Sequence, residues 1–158
     1  MANRRMFSRE VCDSDLFIEM PFAAQALYLH LNLNADDDGC VARANQVVQC
    51  IKATPDDLRI LMDNGYVLQL EHKLYLITDW LNNNQIRADR KVRSIYMDEL
   101  SKVRIDENRR YSLTEGMPLL EYIELKRQEA EAAKEARLRK KEMMEAERNN
   151  SYEKDLRA

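Results

Sequence analysis

Glycine, proline, cysteine and histidine are all scarce in this chain. Its 158 residues include three glycines, three prolines, three cysteines and two histidines. So few glycines leave little for a loop that cradles phosphate, and the sequence contains neither a GxxxxGK[ST] nor a GxSxG motif. Two histidines are also too few for most acid–base chemistry. We therefore expect a protein that is not an enzyme and that uses no cofactor.

The residues that could bind metal or form disulfides have unsuitable spacing. The odd cysteine count without a CxxC pair argues against a disulfide framework, and His30 and His72 lack the spacing of metal ligands. The run Asp36–Gly39 invites a calcium interpretation, but it lacks the pattern of an EF-hand loop. We expect it to be a turn that ends a helix. The three cysteines are Cys12, Cys40 and Cys50.

Long apolar runs are also missing. None approaches the roughly 20 residues needed to span a bilayer, and the first residues, Met1–Phe7, carry charge without an apolar signal core. We therefore expect a cytoplasmic protein with no membrane partner. The net charge is −3 and the pI is near 5.5. This balance counts mildly against tight non-specific DNA binding, unless the positive charge is clustered.

The most informative stretch runs from Ala53 to Trp80. Thr54 is placed to cap a helix, with Pro55 in its first position and Asp57 where a capping-box acid is expected. Gly65 is the expected left-handed residue just after the helix. These signals together predict a short helix that begins after Thr54 and ends before Gly65.

Two short apolar runs follow this helix, Tyr66–Leu70 and Leu74–Trp80, joined by the polar turn Glu71–Lys73. Their β-branched and aromatic content predicts a β-hairpin. Upstream, apolar spacing predicts a helix over Asn45–Lys52, preceded by a short strand at Cys40–Ala42 and by a longer helix. We expect the buried stripe of that longer helix to comprise Ala23, Ala26, Leu27, His30, Leu31 and Asn34, widened by Tyr28, Leu29 and Leu33.

The order of these elements predicts a mainly α fold with a small β-hairpin wing, a winged helix-turn-helix, plus a long charged C-terminal helix. We assign residues 1–105 to the winged-helix domain, 106–118 to a linker and 119–158 to the C-terminal helix or tail. A further helix is predicted over Ser94–Val103. Its inward residues would be Ile95, Tyr96, Leu100 and Val103.

The C-terminal segment is rich in charge of both signs. From Leu119 to the end it has ten basic and ten acidic residues, and a helix is predicted to about Arg148. Its heptad pattern is weak, because Ile123 and Ala130 share a position that Arg137 interrupts. Two alternatives stay open: a solvated single helix, or a coiled-coil or partner-docking helix.

Positive charge clusters after the predicted hairpin. Between Arg87 and Arg110 there are eight basic and five acidic residues, and such a segment could run beside the phosphates of a duplex. The alternative is that Arg87 and Arg90 pair with Asp89 on a solvated face. The predicted DNA contacts of this segment are Arg87, Arg90, Lys91 and Arg93. An N-terminal arm would add Arg4 and Arg5, with Arg9 nearby.

The two predicted helices before the hairpin offer further DNA contacts. On the last of them Arg59 is the one plausible base or phosphate contact, because Asp56, Asp57 and Asp63 would meet phosphates badly. Asp56 and Asp57 also have an ordinary role at the helix N-terminus. The contacts predicted on and beside the preceding helix are Arg43, Gln46, Gln49 and Lys52.

Several segments, taken in order, resemble a known family. They include Asn3–Ser8, Asp13–Asp15, Met20–Pro21, Ala24–Tyr28, Ala35–Gly39, Leu74–Trp80 and Asn83–Arg90, with Tyr96 beyond. Their order and spacing resemble replication initiators of phages and prophages from Gram-positive bacteria, over about residues 3 to 105. That family is similar to the N-terminal winged-helix part of phage replisome organisers and DnaD-like primosome proteins. The resemblance implies origin-DNA binding and recruitment of host replication factors.

We therefore expect a DNA-binding winged-helix protein of the phage replication-initiator type. It would contact duplex DNA, and its C-terminal helix would recruit a host replication protein or form a homo-oligomer. The alternative from another class is a protein-interaction module that binds a host protein to inhibit or regulate it. A transcriptional regulator is the third hypothesis.

Overall fold

The computed structural model describes residues 4–86 and 90–156, with backbone alone for the last ten. The chain divides into two units, of which the first ends at Leu119 and the second begins at Leu120. Helices dominate, and two small antiparallel sheets lie in the first unit. The helices are α1 (Arg9–Cys12), α2 (Asp15–Glu19), α3 (Phe22–Asn34), α4 (Ala44–Cys50), α5 (Pro55–Asp63), α6 (Trp80–Asn83), α7 (Met97–Leu100) and α8 (Leu119–Leu156). The strands are β1 (Cys40–Val41), β2 (Val67–Gln69), β3 (Tyr75–Ile77), β4 (Arg104–Ile105), β5 (Tyr111–Ser112) and β6 (Met117–Pro118).

Side-chain caps fix where α5 begins. The Thr54 hydroxyl accepts a hydrogen bond from the Asp57 amide at 3.3 Å, and the Asp57 carboxylate accepts one from the Thr54 amide at 2.7 Å. This is the reciprocal capping box that the sequence predicts, with Pro55 in the first turn. Gly65 has a φ of +73° directly after the helix, so its predicted left-handed conformation is also confirmed.

The core of the first unit is built around α3, which packs against α4 and α5. The predicted stripe on α3 is wrong in part, since the exposed side of the helix includes His30. The helix is apolar nearly all round, with Phe22 88% exposed and Leu33 53% exposed, so periodicity alone does not select the buried side. The residues of α3 that are buried are Ala24, Leu27, Tyr28, Leu31 and Asn32. Those predicted to be buried but exposed are Ala23, Ala26, His30, Leu33 and Asn34.

Three aromatic rings lock α2, α3 and the start of the hairpin together. Phe17, Tyr28 and Tyr66 meet edge to face with ring centroids 5.3–5.5 Å apart. The Tyr66 hydroxyl lies 3.1 Å from that of Ser14, whose side chain also caps α2. Edge-to-face aromatic contacts of this kind add stability beyond the apolar area that they bury.

The first sheet has the strand order β1-β3-β2, and both pairings are antiparallel. Leu76 at the centre of β3 pairs with Cys40 on one side and with Leu68 on the other, and it is fully buried. The predicted hairpin and short first strand are confirmed. The strand in the second apolar run, however, ends at Ile77, and Trp80 begins α6 instead of extending the strand.

Two predictions for the region after the hairpin are wrong. The predicted helix over residues 94–103 is reduced to the single turn of α7, and Ile95, predicted to face inward, is 86% exposed. The reason is that Ser94 is held by the aspartates of residues 36–38 in a non-helical conformation. The predicted linker 106–118 instead contains β5 and β6, which flank β4 in a second antiparallel sheet.

The second unit consists of α8. From residue 123 to residue 146 every side chain is exposed, and ion pairs between neighbouring turns, such as Lys126 with Glu129 at 2.7 Å, line the surface. Such exposed pairs contribute little to stability. Among the described residues, no helix is both long and apolar enough to cross a membrane.

The contact between Gly39 and Trp80 gives a stability test. A Cβ atom at Gly39 would lie 2.7 Å from Cγ of Trp80, and the residue has a φ of +92°. Because the added atom overpacks a buried ring and strains the backbone, Gly39→Ala should lower the free energy of unfolding by about 3 kcal/mol. Urea denaturation followed by the fluorescence of Trp80, the only tryptophan, measures this.

Gly65→Ala is the matched control. Gly65 also has a positive φ, +73°, but the nearest atom to an added Cβ is 3.9 Å away. Only the backbone strain remains, so the expected loss is about 1 kcal/mol. Equal losses for the two variants would show that the Trp80 contact is not what constrains Gly39.

Candidate nucleic-acid interface

The turn between α3 and β1 contains three consecutive aspartates, Asp36–Asp38, which we call the aspartate turn. Asp36 closes it, because its Oδ1 accepts hydrogen bonds from the amides of Asp38 at 3.0 Å and Cys40 at 2.9 Å. Asp37 and Asp38 are each only 3% exposed. Buried carboxylates need cations and hydrogen-bond donors around them. The residues that pair with the aspartate turn are therefore structural residues.

Arg5 is the cation that pairs with Asp37. Its Nη1 lies 3.0 Å from Asp37 Oδ1, and both side chains are almost fully buried. Its Nη2 donates to the Ala35 carbonyl at 2.7 Å, and the guanidinium lies 5.0 Å from the centre of the Trp80 ring. Arg5 was predicted as a DNA contact, but this burial removes it from any surface that DNA could reach.

Residues Lys91–Ser94, which we call the clamped segment, are held by the other oxygens of the aspartate turn. The Val92 amide donates to Asp37 Oδ2 at 3.0 Å, and the Ser94 amide donates to Asp38 Oδ2 at 2.9 Å. The Ser94 hydroxyl donates to Asp36 Oδ2 at 2.6 Å. The backbone of the clamped segment is therefore fixed by carboxylates more than fifty residues earlier in the chain.

Lys91 is also used within the protein. Its Nζ lies 2.5 Å from Asp38 Oδ1, and its side chain is 32% exposed. Because Asp38 is buried, Lys91 is its principal counter-charge. Lys91 was predicted to contact DNA, but in the structure it forms an ion pair with Asp38. A substitution of Lys91 therefore tests folding as much as DNA binding.

The other two members of the predicted basic segment that the structure describes, Arg90 and Arg93, are exposed. They form no salt bridge within the described part of the chain, and neither does Arg4 of the N-terminal arm, which is exposed as well. The predicted contact Arg87 lies outside the described residues. The hydrogen bonds to the Val92 and Ser94 amides thus hold Arg93 on the surface without engaging its charge, and Arg90 lies just before the clamped segment.

A second exposed polar surface lies on α4 and its flanks. Gln46 and Gln49, three residues apart on the exposed side of α4, lie between Arg43 before the helix and Lys52 after it. Residues 39–55 contain these two cations and no Asp or Glu. All four predicted contacts of this helix are exposed, and the chain immediately around them contains no acidic residue.

The end of α4 puts Lys52 in an unusual conformation. Its φ is +60°, a left-handed conformation that costs a non-glycine residue about 1 kcal/mol. The amide of Ala53 donates to the Val48 carbonyl at 3.0 Å, which closes the helix end and turns the chain toward α5. The left-handed conformation of Lys52 thus places this cation in the turn between α4 and α5.

The exposed side of α5 differs in charge. Arg59 pairs with Asp56 at 3.0 Å, and both side chains are more than half exposed. Asp63 is exposed too, whereas Asp57 is buried in the capping box. An acidic helix surface repels phosphates, so Arg59 is the weakest of the exposed predicted contacts.

Arg43 and Lys91 both lie close to the aspartate turn. Arg43 follows Asp38 by five residues, at most about 18 Å of chain, and Lys91 contacts Asp38 directly. Arg43 therefore lies closer to the Lys91–Asp38 pair than the roughly 34 Å of one helical turn of DNA. The aspartate turn, which is negatively charged, connects the chain near Arg43 with the positively charged Lys91.

Sequence reasoning missed a buried polar cluster under α6. The Asn83 amide donates to the Tyr28 hydroxyl at 2.7 Å and to Asn32 at 3.2 Å, and its carbonyl accepts from the Ser8 amide at 3.0 Å. Asn84 accepts from the Met6 amide in the same way. From the sequence, Asn83 and Asn84 look like turn formers, whereas in the structure they are buried and form hydrogen bonds. The apolar Trp80 shortly before them was a sign that this segment is buried.

The aspartate turn does not present a metal site. Within the described residues, no group of three or more His, Cys, Asp or Glu side chains is arranged to hold a metal ion. All six carboxylate oxygens of the turn face backbone amides, Ser94, Arg5 or Lys91. Burial also raises the pKa of the neighbouring Cys40 thiol to about 12, so this thiol stays protonated near neutral pH.

The charge state of Asp37 gives a pH test. Burial alone raises its pKa, but the Val92 amide and the Arg5 guanidinium outweigh this, and the pKa lies below its ordinary value. A depressed pKa adds stability above the unfolded value of about 4, and this is lost as pH falls through the folded pKa. Asp37→Asn should thus lower the free energy of unfolding by about 3 kcal/mol at neutral pH, and the gap to the parent should narrow below about pH 4. Urea denaturation at a series of pH values measures both effects.

Asp63→Asn provides the control, since Asp63 is an exposed carboxylate of the same unit. Its loss should change stability by less than about 0.5 kcal/mol at any pH. A constant gap between Asp37→Asn and the parent from pH 7 to pH 3 would contradict the ionic role of Asp37.

Comparison with known proteins does not extend this picture. No family model, curated protein or solved structure matches the chain. The resemblance to phage replication initiators stays a prediction from the sequence.

Proposed function

We propose that this protein binds duplex DNA through a winged-helix unit of the phage replication-initiator type, and recruits or multimerises through its C-terminal helix. The exposed cations Arg43, Lys52, Arg90 and Arg93 carry the proposal. Arg5, Lys91 and Arg59 are each engaged by an aspartate, whereas these four are exposed and form no salt bridge with any described residue.

The order of elements supports the winged-helix part of the proposal. A three-helix set, α3, α4 and α5, is followed by the β2–β3 hairpin, and β1 between α3 and α4 joins the same sheet. Helix-turn-helix proteins of this type present their second and third helices, and the hairpin, to DNA. The exposed α4 surface belongs to the second of these helices.

The charge of the two helices determines which surface faces phosphate. In many helix-turn-helix proteins the later helix enters the major groove, but here α5 exposes Asp56 and Asp63. Contacts by α4, the turn at Lys52 and the clamped segment avoid this repulsion. We therefore expect binding dominated by phosphate contacts, with weak preference for sequence.

The rival function is a protein-interaction module, and a specific observation favours it. Leu16 and Ile18 of α2 are 48% and 58% exposed, and Phe22 at the start of α3 is 88% exposed. The first unit is also acidic overall, with 15 basic and 18 acidic residues to Leu119. Exposed apolar residues near one another are typical of protein contacts, so this surface would serve a host partner.

Charge reversal at the two exposed arginines in and beside the clamped segment tests the first proposal. The double variant Arg90→Glu/Arg93→Glu should weaken binding to random duplex at least tenfold, because two phosphate contacts become repulsions (a tenfold loss is about 1.4 kcal/mol). The slope of log affinity against log salt should become shallower by about two. Fluorescence anisotropy at several salt concentrations measures both quantities. Lys91 is left unchanged, because reversing it would unpair buried Asp38.

The matched control changes net charge equally but elsewhere. Lys134→Glu/Arg137→Glu reverses two exposed cations of α8, so a binding loss caused by net charge alone would appear here too. We expect little change for this control. No binding by the parent protein at low salt, on duplex or single-stranded DNA, would overturn the DNA proposal and favour the interaction module.

Lys52→Gly separates binding from folding at the α4 surface. Glycine accepts the φ of +60° without strain, so the variant should keep its melting temperature or raise it slightly. DNA affinity should nevertheless fall about threefold to tenfold, because one phosphate contact is lost. Arg109→Gly is the control, since Arg109 is exposed with a φ of +61° in the turn between β4 and β5. An equal loss of affinity in both variants would contradict a specific role for Lys52.

A further inference from the structure

One side of α8 carries a heptad pattern that differs from the weak one beginning at Ile123. Leu125, Ala132, Ala136 and Met143 lie on it at spacings of seven, four and seven residues, and the positions between them complete an alternation of four and three. Leu125 is 41% exposed and Met143 65% exposed, and Ala132, Ala136 and Met143 line one shallow groove. Spacing of this kind is the seam of a coiled coil, so we call this side the α8 seam.

Two charged residues interrupt the α8 seam, and their signs are opposite. Glu129 falls between Leu125 and Ala132, and Arg139 falls between Ala136 and Met143. Both are exposed. The alternative seam through Ile123 places only cations among its charged residues over the same length, so it offers no such complementarity.

The positions of these two charges match in an antiparallel arrangement of two copies. Placing Glu129 opposite Arg139 of a second copy also places Leu125 opposite Met143, and Ala132 opposite Ala136. Each layer then occurs twice, as two-fold symmetry requires. The large residues meet at the ends of the overlap, and the alanines meet at its centre, where small side chains let the helices approach closely.

We propose that α8 pairs with α8 of a second copy of this chain as an antiparallel two-helix coiled coil, with Glu129 and Arg139 forming the specifying charge pairs in the seam. This inference deepens the multimerising part of the proposed function and rests on it for its biological purpose. The occupant is identified by charge and size complementarity along one helix face, from Leu125 to Met143.

The parallel alternative is disfavoured inside the seam. In a parallel register Glu129 would meet Glu129, and Arg139 would meet Arg139, so like charges would lie in core layers. The flanking residues favour the parallel form, because Glu135 would meet Lys140 of the second copy. Flanking pairs are solvated and contribute little, whereas charges in a core layer are desolvated. The core layers therefore set the orientation.

Existing pairs within α8 are compatible with the antiparallel form. Lys126 lies 2.7 Å from Glu129, and Arg139 lies 3.9 Å from Glu135. The new contact joins these two pairs into a network, because the Glu129 carboxylate can accept a further hydrogen bond and the Arg139 guanidinium can donate one. Arg139 also offsets the approach of the two Glu135 side chains near the symmetry axis.

Sedimentation velocity of the full chain without DNA, from micromolar to millimolar concentration, tests the proposal. The parent should dimerise reversibly. Glu129→Arg should raise the dissociation constant about tenfold or more, because two charge pairs in the seam become repulsive. The double variant Glu129→Arg/Arg139→Glu exchanges the signs and should return the dissociation constant to within about threefold of the parent.

The matched controls lie off the seam on the same helix. Glu131→Arg and Glu131→Arg/Arg137→Glu make equal charge changes at exposed positions and should leave the dissociation constant nearly unchanged. Circular dichroism checks that helix content is retained in every variant. A monomeric parent at all concentrations would overturn the proposal. A dimer that Glu129→Arg leaves intact would also overturn it. Parallel helices would give this result, because the variant only replaces one like-charged pair at position 129 with another.

Failure here is distinguishable from failure of the DNA proposal. The dimer is measured without nucleic acid, and its variants lie in the second unit, whereas Arg90→Glu/Arg93→Glu lies in the first. Dimerisation with no DNA binding would overturn only the DNA-binding part of the proposed function. DNA binding by a strict monomer would overturn only the coiled coil.

Discussion

The buried pairing of Arg5 with Asp37 is the interaction on which the first unit depends. It ties the N-terminal arm to the aspartate turn, and the guanidinium stacks on Trp80. The indole nitrogen of Trp80 donates in turn to the Asp37 carbonyl at 3.1 Å. Gly39 must lack a side chain for this ring to fit. Ion pair, ring and turn therefore have to form together, and none of them is stable in this position alone.

The same aspartates divide the cations of the chain into two groups. Burial makes each carboxylate demand a counter-charge, so Asp37 and Asp38 take Arg5 and Lys91 out of the basic clusters. Arg4, Arg90 and Arg93, which are near Arg5 and Lys91 in sequence, stay exposed because no buried carboxylate among the residues that the structure describes pairs with them. A basic run in a sequence overstates the charge available for DNA whenever the protein also buries acids.

Local signals predicted the local structure well, and long-range contacts account for the errors. The capping box at Thr54 and the left-handed Gly65 need only neighbouring residues, so sequence was sufficient. Ser94 was assigned to a helix because its neighbours suit one, but two carboxylates from the aspartate turn override that preference. A pairing across more than fifty residues leaves no periodic trace in either segment.

The candidate site shows the same limit. Exposure of Arg43, Gln46, Gln49 and Lys52 followed from the amphipathic pattern of α4, and the structure agrees. The burial of Arg5 could not be foreseen in this way, since a terminal arm carries no periodicity. Its one early sign was chemical: three adjacent carboxylates are expensive to place together unless cations are brought to them.

A net negative charge does not by itself exclude DNA binding by such a unit. At physiological ionic strength the Debye length is about 8 Å, so exposed charges further apart than this are largely screened. A phosphate at Lys52 or Arg93 therefore experiences its immediate neighbours far more than the sum over the chain. Residues 39–55 contain no acid, and Asp37 and Asp38, which contact the clamped segment, are already paired with Arg5, Lys91 and backbone amides. Under the proposed function, local charge rather than net charge would set the DNA affinity, and dimerisation through α8 would raise it further by bringing two such surfaces to one duplex.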